Sequence, residues 1–539
     1  MTDHLLEVRD LSVRFHTAQG VVNAVNNVSW HLDRGETLAI LGESGSGKSV
    51  SSAAIMNLID CPPGEITSGE ILFDGKDLLK ASDEERRALN GKRIAMIFQD
   101  PLSHFNPVYT VGWQIEETVT AHGRPRDMAR QRARELVARV GIPDPDAALR
   151  KYPHEFSGGQ RQRLMIAMAL ALKPDILIAD EPTTALDVTV QAEILTLLEE
   201  LQAETGMGLV LITHDLGVVA EAADRAVVME GGYIVEQGTP RDLYHTAQHP
   251  YTRKLIAAAP GRGEMRAPDA DRAPILSVRG LRKSYSAFEA LKGVDFDVMR
   301  GETLAIVGES GSGKSTTARL VLRLEEATAG TALWHGTDLL TMSPREMAGV
   351  RRQIQMVFQD PTQSLNPRMT VFDIVSEAWV IHSGVVEKRH WKERVQALLL
   401  QVGLRPEHAD RYPHQFSGGQ RQRIAIARAL ALEPELIICD EAVSALDVSI
   451  QAQVSALLGE LRDRLGIAFM FIAHDLPVVR DFADRVLVMR AGEIVEEGDV
   501  RQIFDRPRMD YTQRLLAAGL DPDPDVQTRR REARMRLKA

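Results

Sequence analysis

Two eight-residue stretches carry the residue types needed to hold a polyphosphate: Gly42-Glu43-Ser44-Gly45-Ser46-Gly47-Lys48-Ser49 and Gly308-Glu309-Ser310-Gly311-Ser312-Gly313-Lys314-Ser315. Both fit the pattern G-x-x-x-x-G-K-[ST]. The glycines let the backbone wrap around phosphates with its N–H groups turned inward. The following helix points the positive end of its dipole at the same charge. In such a loop Lys48 and Lys314 reach the β- and γ-phosphates, and the hydroxyls of Ser49 and Ser315 bind Mg²⁺. The next position differs between the two. Val50 can offer only its backbone N–H, whereas Thr316 adds a hydroxyl.

Two pairs of carboxylates follow, Asp180-Glu181 and Asp440-Glu441, each closing a short apolar run. At a strand end beside a phosphate loop, Asp180 and Asp440 can hold the Mg²⁺ through water. Glu181 and Glu441 can orient or deprotonate the attacking water. Strand-end acids also serve as helix caps; the phosphate loop upstream favours the catalytic reading.

These groups need a scaffold, and the chain writes it twice. GETLAILGESGSGKS (35–49) returns as GETLAIVGESGSGKS (301–315), an offset of 266 residues. FQDP at Phe98–Pro101, YPHEFSGGQRQR at Tyr152–Arg163, Asp180 and His214 all return at an offset of 260. Six residues are therefore missing from the second copy, between the phosphate loop and FQDP. So long a period marks a duplicated domain rather than a solenoid. In each half, short apolar runs (TLAIL, DILIAD, GLVLIT, RAVVME and their copies) alternate with helical stretches such as Val188–Gln202. That alternation predicts a mostly parallel sheet covered on both faces. Gly231–Gln237 and Ala491–Glu497 read as edge hairpins. The expected domains are 1–260 and 275–520, joined by a linker at 261–274 and ending in a loosely ordered tail at 521–539.

The composition fits an ordinary soluble globular chain: 539 residues, 44% hydrophobic and 26% charged. A net charge of −11 lacks the basic footprint of a nucleic-acid binder. Two cysteines, Cys61 and Cys439, cannot supply a disulfide framework or a four-cysteine cluster. The beginning of the sequence does not read as a signal peptide, and no apolar run reaches 18 residues. A membrane role would be that of a peripheral subunit.

The order of motifs resembles, twice over, the nucleotide-binding domain of ABC transporters. The resemblance implies an α/β fold of two tandem P-loop ABC ATPase domains. Each would have a RecA-like core, a β-subdomain and a helical signature subdomain. It makes Gln99 and Gln359 the Q-loop glutamines, contacting Mg²⁺ and water, and His214 and His474 the switch histidines. The signature motifs would be Phe156-Ser157-Gly158-Gly159-Gln160 and Phe416-Ser417-Gly418-Gly419-Gln420, and the D-loops Ala185-Leu186-Asp187 and Ala445-Leu446-Asp447. Phe15 and Tyr285 stand where the family stacks adenine. An SGGQ followed by a helix-forming run can present N–H groups to a γ-phosphate. In the family the signature serves the opposite domain's ATP. One site would then join Lys48, Glu181 and His214 to Ser417, and the other Lys314, Glu441 and His474 to Ser157. Since both sets are complete, both sites are expected to hydrolyse ATP.

FQDP-LSHFNP, FQDP-TQSLNP and the trailing His249-Pro250-Tyr251-Thr252 resemble the oligopeptide, dipeptide and nickel importer branch. There the first half is similar to the "D" ATPase and the second to the "F" ATPase. The resemblance implies ATP and Mg²⁺, two integral-membrane permeases, an extracytoplasmic solute-binding protein and a place on the cytoplasmic face of the membrane. It implies no nucleic-acid partner. The cysteine-rich extension that holds an iron–sulfur cluster in some first-half relatives has no counterpart here, so no cluster is expected. His104-Phe105 departs from the Ser-Leu of the second copy, where such domains meet their permease. A competing reading, a soluble ABC ATPase acting on the ribosome or DNA, is disfavoured by the short linker, the missing zinc-binding cysteines and the acidic charge.

Overall fold

A computed structural model describes residues 4–17, 20–184, 186–266, 272–286, 288–443 and 446–538. The chain divides into two compact units: Met1–Ala258 with Leu520–Met535, and Ala259–Gly519 with Arg536–Ala539.

The strands of the first unit are β1 (Leu6–Thr17), β2 (Gly20–Leu32), β3 (Thr37–Leu41), β4 (Gly64–Phe73), β5 (Lys76–Asp77), β6 (Ile94–Ile97), β7 (Ile176–Asp180), β8 (Gly208–Thr213), β9 (Arg225–Glu230) and β10 (Tyr233–Gly238). An antiparallel sheet runs β2-β1-β4-β5, and a six-stranded sheet runs β10-β9-β3-β8-β7-β6. In the second sheet β3 pairs in parallel with β8 and β9, and β7 with β6 and β8; only the edge strand β10 is antiparallel. Every residue of β3, β7 and β8 is buried, as expected of a parallel sheet covered on both faces.

The second unit repeats the plan with β11 (Pro274–Tyr285), β12 (Phe288–Met299), β13 (Thr303–Val307), β14 (Ala329–Trp334), β15 (Thr337–Asp338), β16 (Ile354–Val357), β17 (Leu436–Asp440), β18 (Ala468–Ile472), β19 (Arg485–Arg490) and β20 (Glu493–Asp499). Its sheets run β12-β11-β14-β15 and β16-β17-β18-β13-β19-β20. Five of the six missing residues are lost by the turn after β14, where the pair Trp334–Thr337 matches Phe73–Lys76 at an offset of 261, and the sixth is lost before β16.

Helices Val111–Thr120, Arg126–Arg139 and Gly158–Ala169 pack into one apolar cluster with Phe105, Phe156 and β7. Their counterparts in the second half are Val371–Ile381, Trp391–Gln401 and Gly418–Leu430. Among the described residues, no helix is long and apolar enough to cross a membrane.

The expectation of a loosely ordered tail at 521–539 is corrected: Pro524–Lys538 is a helix, and Leu520–Met535 belongs to the first unit. The basic run finds acids far away in sequence. Arg534 and Gln527 both donate to the buried Glu221, Arg531 pairs with Glu199, and Arg241 meets Asp525 at 2.6 Å. Part of the stretch read as a linker is also anchored. The N–H groups of Gly261 and Gly263 donate to Asp481 at 2.6 and 2.9 Å, within the second unit. Residues 267–271 of that stretch lie outside the described residues.

Candidate nucleotide site

Each phosphate loop connects a buried strand to a helix, β3 to Lys48–Met56 and β13 to Lys314–Val321. Gly47 and Gly313 precede these helices at φ 99° and 105°, a left-handed conformation that side chains resist. A Cβ on Gly42 would lie 2.4 Å from the Met229 carbonyl, and one on Gly308 2.2 Å from that of Met489. The loop is therefore pressed against the sheet where only glycine fits. Ser44, Gly45, Ser310 and Gly311 form the exposed crown of the two loops. Lys48 is 5% exposed, and its Nζ donates to the carbonyls of Gly42 at 2.7 Å and Glu43 at 2.9 Å. Lys314 makes the same bonds to Gly308 and Glu309 at the same distances. Val50 packs against the apolar cluster of the first half, and Thr316 is half-buried.

The donor set suits a triphosphate and a hard cation. Ser46 and Ser312 have buried hydroxyls without a hydrogen-bond partner inside the phosphate loops. The Ser49 hydroxyl donates to Asp180 Oδ1 at 3.1 Å, and that of Ser315 to Asp440 Oδ1 at 2.9 Å. A hydroxyl beside a carboxylate is the oxygen pair that Mg²⁺ takes. Burial, with the charge of the adjacent Glu181 or Glu441, pushes the carboxyls of Asp180 and Asp440 above the usual range despite the serine hydroxyl and the loop lysine beside them.

Glu181 and Glu441 stand at φ 47° and 51°, uncommon for residues with a side chain. Their N–H groups donate at 2.9 Å to the carbonyls of Ile212 and Ile472, which holds that turn. Gln99 Nε2 donates to Glu181 at 2.8 Å, and Gln359 Nε2 to Glu441 at 2.7 Å. His214 Nδ1 lies 3.1 Å from Glu181, and His474 Nδ1 3.4 Å from Glu441. Burial alone would raise these two glutamates. The histidine, with Lys48 or Lys314 nearby, outweighs it and leaves both carboxyls below the usual range. Each half thus brings its lysine, serine, aspartate, glutamate, glutamine and histidine together at the ends of neighbouring strands.

Ser157 and Ser417 cap the signature helices. Each side chain accepts from the N–H of Gln160 or Gln420, and each glutamine returns a bond to the serine N–H. Gly158 and Gly418 are exposed. A Cβ on Gly159 or Gly419 would fall 2.6 or 2.2 Å from Val190 or Ile450, so these glycines admit the helix behind. Asp187 and Asp447 precede the helices Val188–Thr205 and Val448–Leu465. Ala185 and Ala445 of the two D-loops lie outside the described residues.

Phe15 is half-buried against Gly64 at the end of β1. Tyr285 is 43% exposed at the end of β11, with its hydroxyl on Glu325 and Lys283 Nζ 4.8 Å from its ring centre. Cys61 is exposed, and Cys439 is buried within β17, which pushes its thiol up. Sequence reasoning missed Thr184, whose hydroxyl donates to Glu181 at 3.0 Å. It also did not anticipate that the hydroxyls of Tyr251 and Tyr511 accept from the N–H groups of Glu43 at 3.2 Å and Glu309 at 3.4 Å. A hydroxyl three residues after the glutamate was the available signal for Thr184.

This constellation, twice repeated, defines a phosphate-loop nucleoside triphosphatase with a separate helical signature module. The family model described as "ABC transporter" matches residues 25–184 and 291–444, and that described as "Oligopeptide/dipeptide transporter, C-terminal region" matches residues 235–276 and 495–538. The chain belongs to the ABC transporter family, as an ATP-binding ATPase with two fused nucleotide-binding domains. It is 47% identical to the glutathione import ATP-binding protein GsiA of Salmonella typhimurium strain LT2, over 98% of this chain and 91% of that one. Against the GsiA of Escherichia coli O157:H7 the identity is 46%, over 97% and 91%. Among solved structures, cbiO1 of Clostridium perfringens, part of an ABC transporter complex, is 29% identical; it covers 47% of this chain and 99% of its own, with a TM-score of 0.41.

Proposed function

We propose that this chain powers the import of glutathione-like or other short peptides, docked peripherally on the cytoplasmic face of two membrane permeases that receive solute from an extracytoplasmic binding protein. The observation that carries this reading is the oligopeptide/dipeptide C-terminal region present after both nucleotide-binding domains, in a chain nearly half identical to glutathione import proteins. No comparison favours a soluble ATPase of ribosome or DNA.

The residue roles follow from their chemistry. Lys48 and Lys314, with the loop N–H groups, bind and orient the β- and γ-phosphates. Ser49 with Asp180, and Ser315 with Asp440, would hold Mg²⁺, which neutralises charge on the β- and γ-oxygens when bound. Glu181 and Glu441 stay ionised and accept a proton from the attacking water. Gln99 and Gln359 hold those carboxylates from one side, and His214 and His474 from the other. Phe15 and Tyr285 are assigned to the base, and the signature serines and glycines to the γ-phosphate. ATP drives transport only if it binds the open and closed forms with different affinity.

The test is reconstitution of the chain with its permeases in vesicles, with glutathione, a dipeptide and Ni²⁺ offered in turn with the binding protein. Peptide-stimulated ATP hydrolysis and uptake are expected. Stimulation by Ni²⁺ alone, or association with ribosomes in place of permeases, would overturn the proposal.

A further inference from the structure

The C-terminal region of each half reaches back to the phosphate loop. Beyond the edge hairpin, the helices Pro250–Ala258 and Asp510–Ala518 each begin beside a buried tyrosine, Tyr251 at 6% and Tyr511 at 8% exposure. Each helix is anchored by a carboxylate on the edge strand. Glu236 of β10 accepts from the N–H groups of Gln248 at 2.6 Å and His249 at 3.2 Å. Glu496 of β20 accepts from those of Arg508 at 2.8 Å and Met509 at 3.1 Å. So anchored, the Tyr251 hydroxyl accepts from the Glu43 N–H at 3.2 Å, and the Tyr511 hydroxyl from the Glu309 N–H at 3.4 Å.

These N–H groups belong to the same peptide units as the carbonyls of Gly42 and Gly308. Those carbonyls take the lysine Nζ at 2.7 Å in both halves. One peptide plane is therefore held from both ends, its carbonyl by the lysine and its N–H by the tyrosine. Hydrogen bonds at the two ends of one amide polarise each other and restrict its rotation. A rotated plane would carry the lysine's acceptor away from the loop. The same arrangement occurs in two halves whose surroundings differ in sequence.

We propose that Tyr251 and Tyr511 are positioning residues for the phosphate loop and its lysine, so that the importer-type C-terminal region is a working part of each nucleotide site. The tyrosine touches neither phosphate nor water in this role; it acts through the 42–43 and 308–309 peptides.

Tyr251→Phe and Tyr511→Phe keep the ring and remove only the hydroxyl. In the full-length chain, each variant and the double variant would be measured for binding of a non-hydrolysable ATP analogue, for KM and kcat, and for melting temperature. Losing one neutral hydrogen bond per site predicts affinity about two- to tenfold weaker at the altered site. KM should rise by a similar factor, kcat should change less, and melting should fall by no more than one lost hydrogen bond costs, about 2–4 °C. The double variant should weaken both sites. A double variant with wild-type affinity and KM would overturn the proposal. So would a loss of affinity accompanied by a fall in melting temperature well beyond that of one hydrogen bond, because the variant would then have disrupted the local fold rather than the loop's peptide plane alone. Wild-type hydrolysis in the same assay separates this outcome from a failure of the ATPase reading.

Discussion

The two halves agree most closely around their phosphate loops and diverge farther out. Lysine to loop carbonyl is 2.7 Å in both, and glutamine to glutamate 2.8 and 2.7 Å. Even the left-handed turn at the glutamate is repeated. Close to this centre, Val50 stands where the second half has Thr316. Farther out, His104 stacks on Phe98 with ring centres 4.0 Å apart. Its counterpart is Ser364, and Phe358 is left 41% exposed in a cleft of about 690 Å³ that also borders Gln359 and Arg428. Phe105 and Leu365, both 2% exposed, fill equivalent apolar positions, so half of the His104-Phe105 departure is a core substitution. The residues of the candidate site are kept in duplicate, while the surface beside Gln99 differs from that beside Gln359.

If the duplicate centres are equivalent, they fail equally. Glu181→Gln and Glu441→Gln should each lower steady-state ATP turnover, and the double variant should lose roughly 10²–10⁴-fold, the contribution of a positioned general base. A single variant that retained full turnover would show that only the other site hydrolyses.

A smaller effect should separate the halves. Arg534→Ala takes the ion-pair partner from the buried Glu221, at a cost of about 3–5 kcal/mol. Because Arg534 belongs to the first unit, hydrogen exchange should accelerate around the helix Leu216–Ala222 and less around Leu476–Phe482. Equal acceleration in both would contradict the assignment of the tail to the first unit.

The smallest effect should come from exchanging the one divergent residue beside the loop. Val50→Thr adds a hydroxyl and should tighten analogue binding at the first site by about two- to fourfold, and Thr316→Val should loosen the second by a similar factor. Binding isotherms that move in the same direction for both swaps would mean the hydroxyl has no part in nucleotide affinity.

The sequence alone determined the duplicated plan, the phosphate loops, the acidic strand ends, the signature caps and the family. Each is written in neighbouring residues whose spacing matches a strand, a turn or a helix end, so local physics is enough to read them. Only the tertiary structure decided which distant groups meet. Tyr251 reaches a loop N–H 208 residues away, and Arg534 pairs with an acid 313 residues away. The tail read locally as loosely ordered, because its acidic partners Glu199 and Glu221 lie on helices of the other half of the sequence. A helix's own sequence records its charges, but whether those charges are buried depends on what folding brings alongside them.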